Sequence, residues 1–278
     1  MYSIEKRTMR RSLLLLTFIF LFCSSLVAQI FRFGVPNLED YDMQRFHWGF
    51  SLGLDIVDVN LKTRTSYQGL SPNPENELMQ IRSKPGFAFN VGIVANMRMG
   101  KYFDLRFIPG FSFSHEIDLY YRFEKPISIP GKPRNTPKEE ITIKIGGEYV
   151  NFPLLLKFKS SRMHNVRIFA LTGGQFSVNM TSAKNRKIKK SDHEVLADMI
   201  PIIKPYDVQV KGGFGFDFYT TYFKFTTEFK VAFGVINMLE SNIKNNDATI
   251  LDDYWKSPNI IGLQSLKSKT FTISFIIE

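Results

Sequence analysis

Large apolar residues occupy alternate positions along several stretches of the chain. In the first, Phe46, Trp48, Phe50, Leu52, Leu54 and Ile56 share one parity, and His47, Gly49, Ser51, Gly53 and Asp55 share the other. A period of two means a strand with one greasy face and one polar or small face. The stretch also has the length, about 9–11 residues, that a tilted strand needs to cross a bilayer. The scheme recurs in 87–99, in 103–113, in 150–158, in 208–218, in 223–235 and in 271–277. Residues 166–178 complete the set, although there Phe169 and Leu171 compete with Ile168 and Ala170 for the apolar face. Eight strands follow. Ile141, Ile143 and Ile145 run out of phase with 150–158, which predicts a bulge at Gly146–Gly147 that resets the parity. Pro109 and Pro153 lie within strands and cannot donate to a ladder, so each predicts a bulge of its own or, failing that, the end of a strand.

The links between strands are short near Gly100, at 160–164 and near Thr220. They are long and polar at 60–84, 117–140, 180–205 and 237–265. Short and long links alternate in transmembrane barrels, with short periplasmic turns and long extracellular loops. A soluble β-sandwich gives no reason for that alternation. A Lys or Arg facing lipid at the midplane costs about 2–4 kcal/mol, so charges on the polar parity belong in the lumen. Arg98, Arg106, Lys157, Lys211, Lys224 and Lys230 then face Asp55, Asp104, Asp207, Asp217 and Glu228. Eight strands enclose a space that side chains just fill. The pattern thus predicts an all-β, eight-stranded antiparallel transmembrane β-barrel, plugged by salt bridges and without a conducting pore.

Composition adds the compartment. Lys6, Arg7, Arg10 and Arg11 precede an apolar run from Leu13 to Phe22, and Ser24, Ser25 and Ala28 supply small residues near a cut after Ala28. This is the make-up of an export signal over 1–28, and its apolar run is shorter than the ~20 residues of a spanning helix. The only cysteine, Cys23, lies inside it, so 29–278 carries no thiol or disulfide. Residues 29–45 form a lead-in, read as a periplasmic docking segment, and 46–278 form the barrel. Fourteen per cent aromatic residues, including 27 Phe, is heavy for a soluble protein. Within a net charge of +10, Lys184, Arg186, Lys187, Lys189 and Lys190 cluster in the third long loop. They fit either an anionic partner such as lipopolysaccharide phosphates or a solvated loop face. Tyr120, Tyr121 and Phe123 fit an outer aromatic girdle.

Candidate chemistry is sparse. His47, His115, His164 and His193 have no ligand spacing, so no metal site is expected. The glycines of 211–217 are followed by no helix, against a phosphate loop. Ser114, His115 and Glu116 are consecutive in a strand and point to opposite faces, which rules them out as a triad. No catalytic residue, cofactor, nucleic acid or small-molecule substrate is expected; the expected surroundings are outer-membrane lipid and lipopolysaccharide.

Four stretches, FIPGFSFSH (107–115), YVNFPLLLKFK (149–159), FALTGGQF (169–176) and EFKVAFGVINML (228–239), resemble the small outer-membrane barrels common in Bacteroidota. Within that group, VPNLEDYDMQRFHWGFSLGLD (35–55) resembles the PorT family, barrels associated with type IX secretion and gliding motility. The resemblance implies an integral outer-membrane accessory of the secretion machine, needed to export cargo with a C-terminal signal domain, with other type IX components as partners. It brings no catalytic residues. Outer-membrane barrels often end on an aromatic residue; here Phe275 is followed by Ile276, Ile277 and Glu278.

Overall fold

A computed structural model of the protein describes residues 37–63, 78–127, 138–181, 203–239 and 263–278. After a short 3₁₀ turn, Glu39–Met43, the alternating stretches form β1 (Phe46–Thr63), β2 (Leu78–Lys84), β3 (Gly86–Arg98), β4 (Phe103–Phe107) and β5 (Gly110–Ile127). These are followed by β6 (Lys138–Lys159), β7 (Val166–Asn179), β8 (Tyr206–Tyr219), β9 (Lys224–Gly234) and β10 (Leu263–Ile277). All belong to one antiparallel sheet, and β1 pairs with β3 on one side and β10 on the other, which closes the ring. Pro85 divides β2 from β3, and Ile108–Pro109 divides β4 from β5. Each pair is one interrupted stave, so the ring has eight.

Polarity is inverted relative to a water-soluble fold. Trp48 is 67% exposed and Phe50 71%, whereas Ser51 and Asp55, on the opposite face of β1, are buried. Lipid, not water, is the solvent that such an outer face suits. Aromatic pairs on that face bridge neighbouring staves, Phe214 with Phe229 at 5.4 Å and Phe225 with Phe275 at 6.1 Å between centroids. In β7 the competition resolves against the larger residues. Ile168 and Ala170 face out, and Phe169 and Leu171 are buried. Their cross-strand partners in β8 are Gly215 and Gly213, which leave room in the lumen for the bulky side chains.

The two prolines do not each make a bulge. Pro109 interrupts its stave, but β6 pairs with β7 in unbroken register through Pro153, opposite Gln175. On its other side Pro153 meets the interruption itself: Ile108 N donates to Pro153 O at 3.2 Å, and Ile93 N donates to Pro109 O at 3.0 Å. Two residues without an N–H thus share one seam, where a regular ladder is already broken.

The irregularity near Gly146–Gly147 also differs from expectation. Ser112 pairs with Tyr149 and His115 with Gly147, so the extra residue lies in β5, with Ser114 at φ 56°. Gly146 and Gly147, at φ 117° and 140°, accommodate it. The parity of β6 never changes, because Ile145, Tyr149, Leu155 and Lys157 are all buried. The interior changes instead. Toward the long-loop end Val57, Val59, Ile117, Leu119, Tyr121, Ile145, Leu263 and Leu266 form one buried apolar cluster. Outside it, Glu116, Arg122, Thr142 and Lys144 are exposed.

Several staves therefore rise beyond the lipid band as an ordinary water-facing sheet with an apolar inside. Residues 60–63, 78–84, 117–127 and 138–140, assigned to loops from the sequence, are strand. Tyr121 accordingly belongs to this cap, not to a girdle. Met238 and Leu239 fold over the cap from the end of β9. Met238 N donates to Leu266 O at 2.8 Å, and Leu239 pairs with Ile203.

Candidate functional site: the charged lumen and its strap

Inward positions of staves that are not neighbours meet across the lumen, and at the short-turn end these positions are charged. Arg106 of β4 is fully buried, bonded to Glu228 of β9 and, at 3.1 Å, to Glu278 directly beyond β10. Lys230 reaches the second oxygen of Glu228 at 2.7 Å, and Lys224 pairs with Glu278. Lys157 of β6 spans β7 to bind both oxygens of Asp217 in β8, at 2.8 and 2.7 Å, and its ammonium lies 3.7 Å from the Phe169 ring centroid. Thr226 donates to Asp217 at 2.7 Å. Lys159 holds Asp104 at 2.6 Å, and Asn96 supports Asp104 at 3.3 Å. Charges removed from water persist where partners and hydrogen bonds satisfy them.

Other charges assigned to the lumen stand differently. Asp55 accepts from Thr272 at 2.5 Å and Asn90 at 2.8 Å. Asp207 accepts from Ser268 at 2.5 Å and Gln209 at 2.8 Å. Among the described residues, both are thus held by neutral donors. Arg98 is only half-buried at the rim and donates to Gly100 O of its own turn at 3.3 Å. Lys211 is buried, and among the described residues no carboxylate forms an ion pair with it. The cluster Lys184, Arg186, Lys187, Lys189 and Lys190, His193 and the export signal lie outside the described residues. His115 falls on β5. Among the described residues, no group of three or more His, Cys, Asp or Glu side chains converges as a metal centre.

Sequence reasoning missed Lys159 and Glu278, and it missed how the lead-in is used. Residues 37–45 lie across the short-turn mouth as a strap. Arg167 grips Asp42 through two bonds of 2.8 and 2.7 Å. Arg162 donates to Asn37 O and, at 3.2 Å, to Leu38 O, and Asn37 N donates to Asn165 Oδ1 at 2.9 Å. Tyr41 plugs the mouth. Its ring stacks on His47 at 4.0 Å, the Lys224 ammonium lies 4.6 Å from its centroid, and its hydroxyl donates to Glu278 at 3.2 Å. Burial and the Glu278 carboxylate hold the Tyr41 phenol far above its ordinary pKa. Burial would raise the Asp42 carboxyl, but the Arg167 hydrogen bonds and charge outweigh it and hold Asp42 below its ordinary value. No periodicity announces such a strap; the acidic run Glu39–Asp40 with Asp42 is its one trace in the sequence.

A closed antiparallel ring of eight staves, apolar outside and charged within, is the architecture of an outer-membrane β-barrel. The family comparison agrees: residues 27–240 match the outer membrane protein beta-barrel domain, and the chain belongs to that family. Its short turns therefore face the periplasm and its long loops the exterior. No curated protein matches the sequence. Among solved structures, the outer membrane protein OprG of Pseudomonas aeruginosa aligns at 10% identity and a TM-score of 0.41, over 88% of this chain and 95% of that one. Ail, the attachment invasion locus protein of Yersinia pestis, solved with the heparin analogue sucrose octasulfate, aligns at 8% identity and a TM-score of 0.32. That alignment covers 84% of this chain and 99% of Ail.

Proposed function

We propose that this barrel is an accessory of the type IX protein secretion machinery, a scaffold or assembly factor needed for export of cargo with a C-terminal signal domain. The observation that carries the reading is the resemblance of residues 35–55 to the PorT family. Most of that stretch is the strap and the start of β1, including Tyr41, Asp42 and His47, which fasten the strap to the mouth. A folded periplasmic face of this kind suits contact with other secretion components. The export signal, cleaved after Ala28, belongs to the same reading. Deleting the gene and measuring export of C-terminal-domain cargo tests it: cargo should be retained in the periplasm and recover on complementation, and normal export would refute the proposal.

The basic cluster at Lys184, Arg186, Lys187, Lys189 and Lys190 favours a second reading, a small surface barrel for adhesion or envelope stability through lipopolysaccharide phosphates. Under it, neutralising the cluster weakens surface binding or envelope integrity while secretion continues.

A further inference from the structure

Between the charged network and the apolar cap the lumen contains a cavity of about 50 Å³, large enough for a few water-sized groups. Lys211 and Thr270 line it from β8 and β10. In register, Ala232 of β9 stands between them, opposite both. Lys211 is buried as a residue and makes no hydrogen bond or ion pair with another described side chain, and the Thr270 hydroxyl is buried without a partner. The acids nearby are already engaged. Both oxygens of Asp55 accept from Thr272 and Asn90, and both oxygens of Glu228 accept from Arg106 and Lys230. Lys230, a second ammonium in the lining, shares Glu228 with Arg106. The Lys211 and Thr270 donors are thus left over at the cavity, where the nearest carboxylates are engaged and the His115 Nδ1 is also without a partner. A water accepts hydrogen bonds but must also donate, whereas a small anion satisfies several donors at once and offsets a buried positive charge.

We propose that the lumen holds one small inorganic anion of halide size, bound by Lys211 Nζ and Thr270 Oγ1 beside Lys230. The site is unconnected with the secretion reading and stands or falls separately. Its test uses crystals of the full-length protein exchanged from chloride into bromide. The expected result is an anomalous bromide peak within hydrogen-bonding distance of Lys211 and Thr270, lost in Lys211→Met and weakened in Thr270→Val. Wild-type crystals that show only water there overturn the proposal without any variant, and so does a peak that survives Lys211→Met. In detergent solution, bromide should raise the unfolding temperature of the wild type by a few degrees over gluconate at equal ionic strength. Thr270→Val, which keeps the lysine, should lose most of that rise even if Lys211→Met does not fold.

Discussion

At the scale of single residues, the lumen is a set of buried charges whose value lies in their pairing. Removing one member of a buried pair strands the other, at a cost of about 3–5 kcal/mol, while replacing both with apolar residues of similar volume is often neutral or stabilising. Lys157 and Asp217 are a clean case, since both are buried and bonded twice. Lys157→Met should therefore lower barrel stability by about 3–5 kcal/mol, and Lys157→Met with Asp217→Leu should restore much of it, less the Thr226 hydrogen bond that Asp217 also accepts. Urea titration of the purified barrel, followed by the gel shift between folded and unfolded forms, measures both. Parity along each strand made it legible that these two residues point inward. That they meet was not legible, because the contact spans β7 and depends on a register no local pattern encodes. Glu278 was hidden for the same reason. It looks like a departure from an aromatic ending until Arg106 and Lys224 are brought to it from distant staves.

Among the elements, the strap is fastened to the barrel by the ion pair of Asp42 with Arg167 at 2.7 Å. The folded-state pKa of Asp42 lies below its unfolded value of about 3.9, so its contribution is present above that value and is lost as pH falls through the lowered one. Hydrogen exchange should show residues 37–45 protected from neutral pH down to about 5, with protection failing only below about pH 4. Asp42→Asn should loosen the strap already at neutral pH and leave the barrel strands protected. The strap could not be read from the sequence because it has no period and its partners, Arg162, Asn165 and Arg167, lie far along the chain. The interrupted staves were half-legible. Pro109 announced a break, but only register showed that Pro153 needs none of its own, since it faces that same break.

For the whole molecule, the lumen is filled near the periplasm by ion pairs and Tyr41 and closed toward the exterior by the apolar cap. Planar bilayers containing the purified protein should show no steady ion conductance, and a stable open level would contradict a filled lumen. The barrel was legible because lipid keeps the outer face apolar from Phe46 to Ile56 and its counterparts. Beyond that band the outside is wet. Inside and outside then exchange chemistry at constant parity, and a rising wall such as 117–127 reads as a polar loop.

The cap also constrains the order of assembly. It draws Val57 and Val59 from β1, the first stave, and Leu263 and Leu266 from β10, the last. No partly threaded intermediate can contain it, since its two halves meet only when β1 and β10 zip together. The pairing that closes the ring is thus the same one that completes the cap.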